Sequence, residues 1–189
     1  MEIRVALKEW ATVCRALEEG RQILLLRKGG IHEAAGEFEL EHRRFLLFPT
    51  YLHQNAKMLK TAERKGLVAM TAEPATIRLS AMGEVTDIVP VVSRAVMNSL
   101  DDWHIWTPPL IDMRFNYRPE NPLYVLLVRV SRLPEPVTIE NTPAYAGCKS
   151  WVPLESGVST AGMLTVLDEA RYQSVRRGIL DRLSPKETR

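Results

Sequence analysis

The sequence is poor in cysteine, in aromatic residues and in long apolar runs. Its two cysteines, Cys14 and Cys148, form no CxxC pair, which argues against a disulfide scaffold and a thiolate zinc site. No apolar stretch approaches the ~18–20 residues of a membrane helix. The opening MEIRVALKEW also lacks the apolar core of a signal peptide. The expectation is a cytoplasmic protein with no membrane partner. Neither sign of charge dominates: 25 basic and 23 acidic side chains leave a net charge of +2. The basic excess falls in residues 1–66 and 161–189 and the acidic excess between them, which permits a phosphate-facing patch. GxxxxGK[ST], GxGxxG, GxSxG and HExxH are absent, which removes the common nucleotide-loop, serine-hydrolase and zincin signatures.

At 189 residues, 46% hydrophobic and 25% charged, the chain has an ordinary globular composition and the size of one domain. Leu7, Trp10, Cys14 and Leu17 recur at helical spacing, predicting a helix over 5–19 capped by Gly20, with Cys14 as a buried small hydrophobe. Residues 22–28 read as a buried strand and 29–37 as a glycine-bearing loop. Strands are expected at 38–40 and 44–48, the latter stopped by Pro49. A helix capped by Thr50 is expected over 50–65. Residues 75–92 predict a hairpin or bent strand turning at Gly83, and Ser93 caps a short helix. The proline-rich 101–122 reads as irregular. Residues 123–133 predict a central strand, 145–154 a last strand-like piece, and 164–183 a helix with the stripe Leu164, Leu167, Val175, Ile179 and Leu183. Strands and long helices do not alternate strictly. The fold class expected is therefore α+β: a curved, mostly antiparallel sheet or small barrel flanked by helices. Residues 1–156 form one domain, and 157–189 a linker and basic C-terminal helix.

The densest polar cluster is EFELEHRRFLLFPTYLHQ, residues 37–54. Glu41 and His42 precede its apolar strand, while Thr50, His53 and Gln54 follow it. At ~3.3 Å per residue, a straight strand from Glu41 to Pro49 holds the two groups ~26 Å apart, too far for one catalytic shell. Thr50, His53 and Gln54 at a helix start suit an anion, because free N–H groups point outward there. Arg27-Lys28-Gly29-Gly30 at a strand end offers two cations to phosphate. Arg44 adds another cation. Trp103, Trp106, Phe115 and Tyr117 either pin a long loop or, through Trp106, stack on a base. His32 is expected in solvent and His104 in packing. The Cys148 thiol stands beside Lys149, a cation that lowers a thiol pKa.

The run ALKEWATVCRALEEGRQILLLRKGGI, with FLLFPTYLHQ after it, resembles the bacterial domain-of-unknown-function family 1802, over the chain up to about Leu154. That resemblance implies no activity. The order Trp10, Gly20, Arg27 and the stretch LYVLLVRVSRLPEPVTIENTPAYAGC are also similar to the PUA-like superfamily, with its ASCH and EVE domains. That second resemblance implies a small curved barrel that binds RNA or modified bases. The cluster at 37–54 and the segment 101–122 depart from its pattern.

The functional expectation is a nucleic-acid or nucleotide-binding module without a cofactor, partnered by RNA or single-stranded DNA. Its ligand-binding residues would be Arg27, Lys28, Arg44, Thr50, His53, Gln54 and Trp106. The competing reading is a Mg²⁺-dependent nuclease using Glu37, Glu39 or Glu41 with His42, and a third is an interaction protein that uses its C-terminal helix.

Overall fold

Residues Glu2–Trp10 form strand β1, and only Ala11–Glu18 form the first helix, α1. The helical spacing of Leu7 and Trp10 is real, but β1 lies between two other strands, and Ala6 and Leu7 face opposite sides of the sheet with almost no exposure. A strand buried on both faces has no polar side for periodicity to report. Gly20 ends the turn after α1 at φ +68°, as its lack of a Cβ permits.

The computed structural model describes residues 1–28, 31–34, 37–68, 70–91, 93–147 and 149–184, and only the backbone within 31–39. Gly29, Gly30, Gly36 and Cys148, and the side chains of His32, Glu37 and Glu39, lie outside the described residues.

The remaining strands are β2 (Leu24–Arg27), β3 (Ile31–Ala34), β4 (Glu37–Leu40), β5 (Arg44–Thr50), β6 (Thr76–Val91), β7 (Leu123–Glu140), β8 (Trp151–Ser159) and β9 (Leu164–Thr165). The main sheet runs β2-β7-β6-β5-β1-β8, with β9 beside β7, and β3 and β4 make a separate two-stranded sheet. Every pairing is antiparallel except β1 with β5. This is the α+β class expected, with an open sheet.

That sheet curls. Four strand spacings separate β2 from β1, about 19 Å if the sheet were flat. Yet Arg27 at the end of β2 donates from Nη2 to the Lys8 carbonyl at 3.3 Å and to Glu9 Oε2 at 3.0 Å. Two register shifts in the β6–β7 ribbon, at Leu79/Ala81 and Val85/Asp87, supply bends, since a bulge increases local twist. Gly83 lets β5 and β7 approach: a Cβ there would lie 2.9 Å from the Phe45 ring and 2.8 Å from Val128.

The sheet separates two cores. Phe45 and Leu47 face the larger one, with α1, β2 and the helices, whereas Leu46 and Phe48 face the smaller one with Ile77, Tyr145 and Val152. This is strict strand alternation.

Several expected boundaries move. Pro49 does not stop β5; it pairs in register with Glu9. Residues 50–65 form a 3-10 turn at Ala56–Met58 and one helical turn, α2 (Thr61–Arg64). The backbone of 58–60 instead bonds to 105–107, with Lys60 N–H on the Ile105 carbonyl at 2.9 Å and Thr107 N–H on the Met58 carbonyl at 3.0 Å. Ser93 accepts from Val96 N–H and caps α3 (Arg94–Asn98), as expected. The segment taken as irregular contains α4 (Pro108–Asn116), with Pro108 and Pro109 opening its first turn, where proline lacks no needed N–H. Residues 157–159 belong to β8, and Val158 and Ser159 pair with β1, so the boundary drawn at 156 falls inside a strand.

Helix α5 (Glu169–Leu183) buries Tyr172, Ile179 and Leu183 in the larger core. Tyr172 and Thr86 share a hydrogen bond of 2.7 Å, Arg176 grips Asp87, and Arg129 pairs with Glu169. The expected stripe is too long at its start: Leu164 belongs to β9 and is 74% exposed. Among the described residues, no helix is long and apolar enough to cross a membrane.

Candidate functional site: a basic pocket at one end of the sheet

β1 and β5 run parallel, so their ends meet on one side. Antiparallel pairing brings the start of β6, the end of β7 and the start of β8 to the same side. There the chain forms a half-open pocket of about 860 Å³. That volume is within the roughly 300–1,000 Å³ of small-molecule sites. Arg27 reaches it from β2 and Arg114 from α4.

Four cations line the pocket: Lys8, Arg27, Arg114 and Lys149. Two carboxylates, Glu9 and Glu73, also line it, and each is already engaged. Glu9 is buried; it accepts from its neighbour Trp10 N–H at 2.9 Å and from Arg27 at 3.0 Å. Glu73 takes the N–H groups of Tyr51 and Leu52, at 3.0–3.1 Å. Lys8 holds the carbonyls of Tyr145 and Gly147. Burial pulls the Arg27 guanidinium below its ordinary pKa; Glu9 opposes that, and the like charge of Arg114 adds to it. Three side-chain polar atoms stand out as buried without a hydrogen-bond partner among the described residues. They are Arg27 Nε, Arg114 Nε and Thr142 Oγ1, all on pocket residues.

Of the residues named from sequence, Arg27, Thr50 and His53 come together here. Thr50 is not a helix cap; it ends β5, and its hydroxyl donates to the Glu9 carbonyl at 3.1 Å. His53 sits in the turn after β5 at φ +65°. An anion does occupy the N–H groups of that turn, and it is the protein's own Glu73. Gln54 lies behind the pocket wall, where its Oε1 accepts from Thr12 N–H at 3.0 Å and caps α1. Lys28 turns away and donates to the carbonyls of Phe115, in the last turn of α4, and of Arg118 just after it. Arg44 pairs on the surface with Glu84. Trp106 does not offer its face to a ligand: it is buried in the larger core at the bridge to Leu59. The aromatic groups of the pocket are instead Trp10, Phe48 and Tyr145.

Glu41 and His42 lie at the opposite end of β5, 3.5 Å apart, with His42 edge-on to Trp151. Among the described residues no group of three or more His, Cys, Asp or Glu is gathered to hold a metal.

The sequence matches the family model of a domain of unknown function, DUF1802, over residues 6–178. The chain belongs to the DUF1802 family. The match passes the expected limit at Leu154 and covers most of α5, so in DUF1802 the C-terminal helix is part of the family's unit. No curated protein matches the sequence. The pocket of this DUF1802 chain uses residues that sequence reading missed: Lys8, Glu9, Trp10, Glu73, Arg114, Thr142 and Lys149. One signal was available for Glu9 and Lys8: two charges between the apolar Leu7 and Trp10. Nothing local marks Arg114 or Thr142, which are far apart in sequence and meet only when β7 and α4 are placed.

His104 is packed, as expected, with its ring 5.4 Å from that of Trp106, and its Nδ1 accepts the Trp106 N–H at 3.3 Å. Burial lowers its pKa to about 4, with the Lys60 charge adding to the effect. Above pH ~6.5 both folded and unfolded chains carry it neutral; as the pH falls toward 4 the unfolded chain takes a proton that the folded one refuses. Stability is therefore expected to drop by about 2 kcal/mol between pH 7 and pH 5 from this residue alone. Urea titrations at both pH values should show that difference, reduced in His104→Asn, whose side-chain oxygen keeps an acceptor. An equal pH slope in wild type and variant would refute it.

Proposed function

We propose that this protein is a nucleotide- or nucleic-acid-binding module whose ligand enters the basic pocket. The observation that carries the reading is one pocket that combines a cationic excess with the half-buried ring of Trp10. Cations meet phosphate, and half-buried Trp10 offers apolar surface to a base. Two of the three residues behind the PUA-like resemblance, Trp10 and Arg27, line this pocket.

The test is binding of labelled single-stranded RNA and DNA, and of mononucleotides in competition, at two salt concentrations with and without Mg²⁺. Affinity is expected to fall as salt rises, because phosphate contacts release counterions. Lys149→Ala, at an exposed position, should weaken binding while leaving the melting temperature unchanged. Absent or salt-independent binding would overturn the proposal. Mg²⁺-dependent cleavage would redirect attention to Glu41 and His42.

A further inference from the structure

The pocket's charges do not balance from within. Glu9 and Glu73 offset two of the four cations, and both are turned onto protein donors. Two positive charges remain. Arg114 has no ion-pair partner among the described residues, and its charge bears on that of buried Arg27. Unpaired buried guanidinium N–H groups and a bare buried hydroxyl are costly, and folded chains seldom keep them without a purpose. Here the three residues that carry such atoms line one cavity and come from three elements: the end of β2, helix α4 and the turn after β7. An acceptor-rich group of charge near −2 would complement both features.

We infer that Arg27, Arg114 and Thr142, with Lys149, form a subsite for a phosphate monoester, so that the ligand is a 5′-phosphorylated nucleotide or strand end rather than an internal phosphodiester. A monoester is close to a dianion at pH 7, whereas a diester carries a single charge. Its three terminal oxygens point in different directions and can accept from donors carried on separate elements. A carboxylate presents two oxygens in one plane. Arginine matches phosphate geometry with paired N–H donors. The inference rests on the nucleotide reading of the same pocket, although the phosphate subsite can stand without the base.

Calorimetric titration separates the two claims. The ligands are the four nucleoside 5′-monophosphates, their 3′,5′-cyclic counterparts, the nucleosides and inorganic phosphate. Wild type should prefer the 5′-monophosphate over its cyclic form by about tenfold or more, the scale of a charge-assisted contact. Arg114→Gln should erase that preference. Thr142→Val, nearly isosteric, should reduce it several-fold and serves if the first variant folds poorly. Equal affinity for the two forms, or a preference intact in both variants, overturns the subsite. If nucleosides bind as tightly as monophosphates, the nucleotide reading survives and the subsite falls. If inorganic phosphate binds through Arg114 as tightly as any monophosphate, the subsite survives and the nucleotide reading falls.

Discussion

A chain ending at Val166 is expected to lose cooperative folding rather than yield a trimmed domain. Helix α5 carries Tyr172, Ile179 and Leu183 into the larger core, each 5% exposed or less. At ~1.5–3 kcal/mol per large apolar side chain, removing the three forfeits roughly 5–9 kcal/mol. That loss is comparable to the ~5–15 kcal/mol stability of a typical domain. The truncation also strips Asp87 of Arg176 and Thr86 of the Tyr172 hydroxyl, and it uncovers β7. Circular dichroism melts of the two chains decide the matter. A sharp transition in the shortened chain within a few degrees of the full one would show that α5 is an appendage. A milder probe of the same contact is Ile179→Ala, expected to cost about 2–5 kcal/mol.

Glu9→Ala should destabilise the protein by about 3–5 kcal/mol, the cost of breaking a buried ion pair by removing one partner. Glu9 and Arg27 have side chains only 6% and 12% exposed, and Arg114, whose charge bears on Arg27, pairs with no carboxylate among the described residues. Removing Glu9 therefore strands Arg27, whose charge already stands against that of Arg114. The double variant Glu9→Met with Arg27→Met should recover most of the loss, since the charge needing a partner is gone. Urea midpoints of the three chains test this. A Glu9→Ala loss below 1 kcal/mol, or a double variant as weak as the single one, would contradict it. High inorganic phosphate should partly restore Glu9→Ala if an anion can stand in for the carboxylate, because a ligand that binds only the folded state stabilises it.

Legibility in the sequence varied with what each signal depended on. The strands at 24–27 and 123–133 were readable because they are β-branched or leucine-rich and bounded by turn residues, although β7 runs on through Pro134 and Pro136 to Glu140. Gly20 and Ser93 were readable because caps and left-handed turns depend on a few neighbouring residues. The N-terminal strand was misread because Leu7, Trp10 and Cys14 satisfy a helical period while the first two belong to a central strand. Residues 50–65 contain helix formers, but the backbone there found partners at 105–107, and a tertiary pairing outweighs local propensity. For the site, cation-bearing strand ends drew attention to Arg27, and the polar turn after β5 to Thr50 and His53. Gln54, Lys28 and Arg44 look equivalent in sequence, and their different fates follow from which backbone or carboxylate each met.

The sequence by itself determined the α+β class, the strands β2, β5 and β6 and the first part of β7, the caps at Gly20 and Ser93, and the family, because these depend on local pattern over short windows. Tertiary structure alone decided the pocket. Curling of the sheet brought the edge strand β2 back over β1, so that Arg27 met Glu9 across 18 residues of chain. Arg114 and Thr142 joined them from α4 and the turn after β7. A chain of this length carries many cations and hydroxyls, and only burial distinguishes those left without a partner.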